Sequence, residues 1–389
     1  MFSLNIASAT IQPSLMPFDT LGLPVSRGWK RKLATLYSDG TENKNIVRQP
    51  DKPKEERPKL RLGFMSHDFS NHPTTFLFEG IAAANHNSSS VEIAAYRYGK
   101  DDGSRARQNI VKRLGKPIDG GTFFDIAPLS HEDAKRVICG NWPADIIFDI
   151  QGFTLGARPQ LMAHRCAGIK VNFLAFLGTS GASYIDYAIV DRFVAAVEHA
   201  EDEFTEKLAI LPRSYQATFF DKPVPIPVRG SAQWKELRSK EGLSTSTSIF
   251  VFANFNKQDK IDPSSFLAVM QSLARVPYSV LWLLQPSRSH ESAVIVKQNL
   301  RAAAKNAGIL PDRLIFAKRV EHKDHIHRMS AGDLFLDSFY YGAHTTATDT
   351  MRGGMPLLTL AGDSFFKQGG DELVAWYELS KSFGWGCGS

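Results

Sequence analysis

The stretch at residues 341–349, which reads YGAHTTATD, has the composition of an anion-binding turn. It follows an apolar run and opens a helical pattern, so the first N–H groups of the helix and the positive end of its dipole would face a bound anion. Thr345 and Thr346 add hydroxyl donors there. Asp349, four residues after Thr345, shares its helix face, where a carboxylate can accept from ribose hydroxyls. The pattern predicts a nucleoside diphosphate site, with a plain Thr-capped helix as the alternative.

Two further side chains follow predicted strands and have useful chemistry. His72 precedes a Pro-Thr helix start, and its imidazole, which titrates near neutral pH, suits a general base or an orienting donor. The alternative is a loop histidine that caps the helix, and the nearby His67 is interpreted as a surface residue. Lys260 lies beside a helix start and can neutralise charge on a leaving diphosphate. Lys257 is a second candidate for that role, and a solvated lysine is the alternative for both.

A histidine-rich segment at residues 321–328, EHKDHIHR, raises the question of a zinc site. A zinc site is disfavoured because no cysteine lies near and the three histidines do not share one helical face. His325 and Arg328 do share a face and are predicted to stack on a base and to contact phosphate. No metal ligand is therefore assigned.

Composition limits the classes of partner. The chain has 389 residues, and 46 Lys and Arg against 40 Asp and Glu give a net charge of +6, which favours acidic ligands. The basic stretch 27–61 has few aromatic residues and is interpreted as a solvated connector, so nucleic-acid binding is not expected. No apolar run reaches the roughly 18 to 20 residues that span a bilayer, so no membrane association is expected.

The cysteines and the N-terminus bear on compartment. Cys139, Cys166 and Cys387 are odd in number and far apart, so neither a disulfide framework nor a zinc ribbon is predicted. A reducing compartment is the simplest interpretation, and a cytoplasmic or nuclear protein is expected. A transit peptide is the alternative, because residues 1–18 contain no acidic residue, although they also contain no arginine.

Short apolar runs alternate with helical patterns, which is typical of βαβ units and predicts an α/β protein with two doubly wound, Rossmann-like domains and a cleft between them. A change of composition at 222–248 marks a domain boundary, which gives a connector at 1–58 and domains at 59–230 and 245–389. Strands are expected at 60–65, 91–98, 145–150, 169–176, 187–190, 208–211, 249–254, 280–284, 314–317, 334–337 and 357–360. Helices are expected at 75–85, 132–139, 157–164, 263–275, 292–307, 323–329 and 344–352.

Taken together, several motifs are recognisable as a set, and they occur in order and at suitable spacing. They are NHPT at 71–74, QGFT at 151–154 with GAR at 156–158, GTSG at 178–181 with DY at 186–187, NFN at 254–256 with KIDP at 260–263, and the turn at 342–349. The set resembles the catalytic region of the protein O-GlcNAc transferase family, from about residue 60 to about residue 367.

The resemblance implies a GT-B fold and transfer of N-acetylglucosamine from UDP-GlcNAc to Ser or Thr of intracellular proteins, with inversion, without an essential metal and without a cofactor. It implies that His72 is the base and that Lys260 acts on the diphosphate. It also implies donor contacts from further residues, which are Lys257, His322, His325, Arg328, His344, Thr345, Thr346 and Asp349. Relative to animal members, Lys257 replaces a glutamine and His322 a lysine, so some donor contacts are expected to differ.

Two alternatives follow from comparison with the family pattern. A related enzyme type uses GDP-fucose, but it lacks His-Pro-Thr at the first loop and His-Thr-Thr at the turn, and this chain has both, which favours UDP-GlcNAc. The family pattern stops near residue 367, and the tail 369–389 is unlike its continuation, so the second domain is expected to be incomplete. A non-catalytic nucleotide- or partner-binding relative is therefore the other alternative. The tetratricopeptide repeats of the family are absent, and a separate adaptor of that type is a conceivable partner.

Overall fold

The computed structural model describes residues 15–41, 57–164, 166–195, 197–218, 223–286, 290–360 and 362. The chain divides into two compact units, residues 1–220 and 221–389. Each unit contains one all-parallel β-sheet flanked by helices, so the predicted α/β class is confirmed. The division lies next to the proline-rich segment at 223–228.

The first unit contains a seven-stranded sheet. Its strands, in chain order, are β1 (Leu60–Ser66), β2 (Val91–Arg97), β3 (Phe123–Asp125), β4 (Ile146–Asp149), β5 (Ile169–Asn172), β6 (Tyr187–Asp191) and β7 (Lys207–Leu211). Their order across the sheet is β3-β2-β1-β4-β5-β6-β7. The helices are α1 (Arg27–Asp39), α2 (Pro73–Ala84), α3 (Arg105–Leu114), α4 (His131–Arg136), α5 (Pro159–Ala163) and α6 (Ala200–Glu203).

Strand β1 shows that both faces of this sheet are buried. Successive side chains point to opposite faces, so Phe64 packs into one apolar layer and Met65 into the other. The Phe64 ring stacks on Phe148 at a centroid distance of 4.6 Å and lies 5.0 Å from the ring of Phe78 in α2. Burial on both faces explains the continuous apolar runs from which the strands were predicted.

The second unit contains a five-stranded sheet. Its strands are β8 (Phe250–Asn254), β9 (Ser279–Leu284), β10 (Leu314–Ala317), β11 (Leu334–Leu336) and β12 (Leu357–Leu358), in the order β10-β9-β8-β11-β12. Its helices are α7 (Ala232–Lys240), α8 (Pro263–Arg275), α9 (His290–Asn306), α10 (His322–Arg328) and α11 (Thr345–Arg352).

Helix α7 lies in the segment that sequence analysis treated as a boundary region. Its Trp234 and Leu237 are buried, and its Arg238 is fully enclosed. The Arg238 guanidinium donates to Asp333 at 2.7 Å and to the carbonyl of Ala331 at 2.9 Å. A buried ion pair with further hydrogen bonds fixes α7 to this unit. The helix was not predicted because three apolar residues in nine, at positions 232, 234 and 237, give little helical periodicity.

Three expectations need correction or limitation. Cys139 and Cys166 form a disulfide with a Cα–Cα distance of 4.6 Å, whereas no disulfide was predicted. Their separation of 27 residues gave no sign that the segment after α4 and the segment after α5 pack together. The predicted helix at 132–139 ends earlier, at Arg136, and a π-helical turn at Val137–Asn141 follows it. Cys387, the tail 369–389 and part of the basic connector lie outside the described residues.

Among the described residues, no helix combines the length and apolar character needed to cross a membrane.

Candidate functional site

The strand orders define one topological switch point in each sheet. In the first unit, the chain leaves β1 for β2 on one side, and β4 lies on the other side; in the second unit, β8 is flanked by β9 and β11 in the same manner. Ligands of doubly wound sheets bind beyond the carboxyl ends of the strands at such points. A ligand site is therefore expected at the residues that follow β1 and β4 in the first unit, and at those that follow β8 and β11 in the second unit.

Asp337, the residue after β11, organises the switch point of the second unit. Its Oδ1 accepts from Asn256 Nδ2 at 2.8 Å, and the backbone N–H of Ala343 donates to both carboxylate oxygens at 2.9 Å. The hydroxyl of Thr359 donates to Oδ2 at 3.1 Å. A carboxylate that accepts from several donors holds the turn 338–344 against β8. Sequence analysis did not identify Asp337, and its position at the end of the strand was the available signal.

Lys260 is attached to the same turn. Its Nζ donates to the carbonyl of Gly342 at 3.0 Å and lies 3.8 Å from the centre of the Tyr341 ring. Burial lowers the pKa of Lys260 to about 8, against a smaller opposing effect of the Asp337 and Asp259 carboxylates. The result is a partly buried ammonium group that is held next to the turn, a setting in which a bound anion gains more than it would in bulk water.

Helix α11 begins at Thr345, directly after that turn, and His344 is its N-cap residue. No side chain caps the helix, and within the part of the chain that the structure describes the N–H groups of Thr345 and Thr346 donate no hydrogen bond. Ala347 and Thr348 donate to the carbonyl of His344. The geometry is that of a helix N-terminus available to an anion, next to Lys260.

His322 and Asp349 are brought together by α10 and α11. The Nε2 atom of His322 lies 2.9 Å from Asp349 Oδ2, and both side chains are largely buried. The pair orients the carboxylate that the sequence assigned to ribose.

His325 and Arg328 are also in contact, one helical turn apart on α10. The Arg328 guanidinium donates to His325 Nδ1 at 2.7 Å, so the neutral ring carries its proton on Nε2. Burial, together with the charge of Arg328, lowers the pKa of His325 to about 3. The Arg328 side chain is only 2% exposed and also bonds the carbonyl of Lys318 and Glu241. The Arg328 guanidinium therefore supports the His325 ring. Because the guanidinium is enclosed, it has no N–H group accessible for the predicted contact with phosphate.

Lys257 differs from Lys260. Its side chain is 57% exposed, and its Nζ pairs with Asp259 at 2.8 Å. It lies in the loop after β8 but on the solvent side, in agreement with the solvated alternative considered for it.

His72 lies in the first unit as the N-cap residue of α2. Its Nδ1 accepts from the backbone N–H of Thr74 at 3.3 Å and lies 3.6 Å from Asp68 Oδ2. A backbone N–H can only donate, so the neutral imidazole carries its proton on Nε2. The helix-capping interpretation considered for this residue is thus present in the structure, and it sets the tautomer.

His67, interpreted from the sequence as a surface residue, is partly exposed and also packs at the switch point of the first unit. Its side chain is 36% exposed, and its Nδ1 lies 2.9 Å from Asp68 Oδ1. A Cβ atom on Gly156 would come within 2.4 Å of the imidazole ring, and φ at Gly156 is +83°, so glycine is required there for two reasons. The sequence could not show this packing because Gly156 belongs to a distant loop.

Among the described residues, no three His, Cys, Asp or Glu side chains are grouped in a manner that would hold a metal ion.

Comparison with known proteins shows to which family the chain is related. The model of glycosyl transferase family 41 matches residues 8–221 and 235–369. An Arabidopsis thaliana protein named probable UDP-N-acetylglucosamine–peptide N-acetylglucosaminyltransferase SEC is 30% identical over 364 residues, which are 90% of this chain and 35% of that protein. The Caenorhabditis elegans UDP-N-acetylglucosamine–peptide N-acetylglucosaminyltransferase is 23% identical over 90% of this chain and 39% of its own length. The chain thus spans little more than a third of these curated relatives.

Solved structures agree on the fold. The O-GlcNAc transferase of Thermobaculum terrenum superposes with a TM-score of 0.76 at 20% identity, covering 93% of this chain and 64% of that one. An Anabaena protein, HepE, in complex with UDP and glucose superposes with a TM-score of 0.51 at 12% identity, covering 83% and 95%. The GT-B architecture and the resemblance to the O-GlcNAc transferase catalytic region are confirmed, and since the family model covers most of its length, the chain belongs to glycosyl transferase family 41.

Proposed function

We propose that this chain transfers N-acetylglucosamine from UDP-GlcNAc to the hydroxyl of Ser or Thr in cytoplasmic or nuclear proteins, with inversion and without an essential metal. The donor and the acceptor class are taken from the names of the relatives in the family. The support from this chain's own residues comes from the switch point of the second unit.

The main support for the proposal is that the Lys260 side chain lies next to the turn that leads into the N-terminus of α11. Its ammonium group lies beside the turn whose last residue, His344, precedes the free N–H groups of Thr345 and Thr346. A diphosphate bound there would meet a positive charge, a helix dipole and hydrogen-bond donors at once. This combination stabilises the negative charge that develops on a leaving diphosphate, which is the contribution that a divalent cation makes in other enzymes.

The remaining contacts fit the other parts of a nucleotide sugar. His325 offers a half-buried, neutral imidazole that can stack on a base, and Arg328 holds it in place. Asp349, oriented by His322, can accept from ribose hydroxyls. His72 presents Nε2–H in its neutral form, which suits an orienting donor to the acceptor or the sugar, whereas action as a base through Nε2 needs the opposite tautomer.

The first experiment is titration of the purified 389-residue protein with UDP, UDP-GlcNAc and GDP by calorimetry, followed by a peptide transfer assay with each nucleotide sugar. We expect micromolar binding of UDP, weak binding of GDP, and transfer from UDP-GlcNAc. Lys260→Met should abolish both binding and transfer, while Lys257→Met, which removes an exposed lysine from the same loop, should change neither by more than about twofold.

Three outcomes separate the alternatives. Binding of UDP without transfer from any donor would support the non-catalytic relative. Preference for GDP and for GDP-fucose would identify a fucosyltransferase. Equal loss of UDP binding in Lys257→Met and Lys260→Met would contradict the proposed diphosphate site.

A further inference from the structure

The loop after β1 contains a hydrogen-bonded network that the proposed function does not use. Asp68 is at its centre, between two imidazoles. Its Oδ1 lies 2.9 Å from His67 Nδ1, and its Oδ2 accepts from Gln151 Nε2 at 2.9 Å. All three residues follow the carboxyl end of β1 or of β4, which are the two strands at the switch point of this sheet.

The chemistry of the partners fixes the orientation of the Gln151 amide. Its Oε1 accepts from the hydroxyl of Ser66 at 2.7 Å and from the backbone N–H of His67 at 3.0 Å, so its NH₂ group must face Asp68. Gln151 and Ser66 are fully buried. Asp68 is therefore held in place by buried groups, and its Oδ1 atom contacts His67 Nδ1.

The same reasoning fixes the tautomer of His67. An ionised carboxylate can only accept, so the hydrogen between Asp68 Oδ1 and His67 Nδ1 belongs to the imidazole. The neutral ring then carries a lone pair on Nε2, and among the described residues no group donates to that atom. His67 thus has the tautomer that His72 lacks, because the Nδ1 atom of His72 is occupied as the acceptor of a backbone N–H.

We propose that Asp68 and His67 form a carboxylate–imidazole dyad in which His67 is the proton acceptor for the incoming hydroxyl and Asp68 is its positioning residue. This inference rests on the proposed function. In the step, the acceptor oxygen forms a bond to the anomeric carbon while the bond from that carbon to the diphosphate oxygen breaks, and UDP leaves with the electron pair. The hydroxyl proton passes to His67 Nε2. Asp68 stays ionised and stabilises the imidazolium through Nδ1–H.

The surroundings of the ring agree with such a role. The imidazole lies against Gly156, where a Cβ would overlap the ring, and it packs against Tyr98, the residue after β2. A Cβ on Gly99 would overlap the backbone carbonyl of His67. The charged and titratable groups around the ring are Asp68 and His72 from its own loop, Tyr98 directly after β2, and Asp149 and Arg158, which interact with Tyr98 from the β4 side. These contacts fix the ring in place, and the His67 side chain is 36% exposed, so its orientation is set before any substrate binds.

The test combines a measurement on the unmodified protein with kinetics. Long-range ¹H–¹⁵N correlation of histidine-labelled protein should show the Nδ1–H tautomer for His67 and the Nε2–H tautomer for His72. His67→Gln should lower kcat by about 10²-fold or more, with KM for UDP-GlcNAc within about twofold. Asp68→Asn should lower kcat by about tenfold or more, and the same spectrum should show part of His67 in the Nε2–H tautomer, because a neutral amide no longer requires the proton to be on Nδ1.

Controls separate this inference from the proposed function. His86→Gln replaces an exposed histidine of the same unit and should leave kcat unchanged. Nε2–H on His67, or full kcat in His67→Gln, would overturn the dyad and leave the transferase proposal intact. An Asp68→Asn enzyme with a lower rate but an unchanged His67 tautomer would reduce Asp68 to a structural residue and likewise overturn it. A wild-type protein that transfers no sugar would instead overturn the proposed function.

Discussion

Lys260 Nζ lies 3.8 Å from the centre of the Tyr341 ring, so the partly buried ammonium of one loop packs on the aromatic residue that begins the predicted anion-binding turn. The carbonyl of Gly342, one residue further on, accepts from the same Nζ at 3.0 Å. In the absence of an anion, a ring face and one carbonyl are modest compensation for loss of water around a charge, which is why the pKa of Lys260 falls to about 8. This relationship leads to two predictions.

The affinity for UDP should depend on pH through Lys260. In the free protein half of the Lys260 side chains are neutral at about pH 8, and a bound diphosphate restores the charged form. Binding above pH 8 should therefore take up a proton, and affinity should fall by up to tenfold for each further pH unit. Calorimetry at pH 9 in two buffers of different ionisation enthalpy measures the uptake. An affinity that stays constant from pH 7 to pH 9.5 would contradict the assignment.

Removal of the Lys260 charge should stabilise the unliganded protein. Because burial lowers the folded-state pKa from 10.5 to about 8, the unfolded chain binds more protons between these values, and stability rises with pH across that window. Below pH 8 the buried charge is a cost, so Lys260→Met should raise the free energy of unfolding at pH 7 by about 1–3 kcal/mol. Denaturant titration measures this, with Lys257→Met as the control. The variant should also lose the stabilisation by UDP, and a lower stability of the unliganded variant would refute the argument.

His322 should contribute to nucleotide affinity through the ribose and not through the phosphates. Its Nε2 holds Asp349 Oδ2 at 2.9 Å, and without that contact the carboxylate gains rotational freedom. His322→Gln should weaken UDP binding by about three- to tenfold, which corresponds to one hydrogen bond, and should leave the weaker binding of a dideoxyribose analogue of UDP unchanged. His327→Gln, on the same helix, is the control. Equal weakening for both nucleotides would show that His322 contacts the phosphates instead.

The sequence predicted this fold well where local signals agree. Helix α8 was predicted at its observed limits because Asp262 caps it, Pro263 occupies its first position and an apolar face follows. Helix α3 was not predicted, because Ile110 is its one buried residue and the apolar stripe is too narrow to read. The site residues likewise fall into those that local sequence signals could identify and those that they could not. The chemistry of Lys260 and of the turn could be read from residue types, whereas Asp337 and the Asp68–Gln151 contact depend on strands that are distant in sequence.

The enclosure of Arg328 could not be predicted either, since an arginine is by default exposed, and it leads to a last prediction. The guanidinium bonds His325 Nδ1, the carbonyl of Lys318 and, at 3.5 Å, Glu241. Arg328→Met should lower the free energy of unfolding by about 3–5 kcal/mol, because the Glu241 carboxylate, itself only 10% exposed, and the carbonyl lose their donor.

Adding Glu241→Gln to Arg328→Met removes the unpaired charge and should recover part of that loss, as a denaturant-based double-mutant cycle would show. The pKa of His325 should rise in both variants, because one cause of its low value is the neighbouring guanidinium, and NMR titration of the imidazole measures this. If Arg328 contacts phosphate directly, Arg328→Met should weaken the binding of inorganic pyrophosphate as strongly as that of UDP. If it supports the His325 ring, as the structure indicates, UDP binding should weaken and pyrophosphate binding should not.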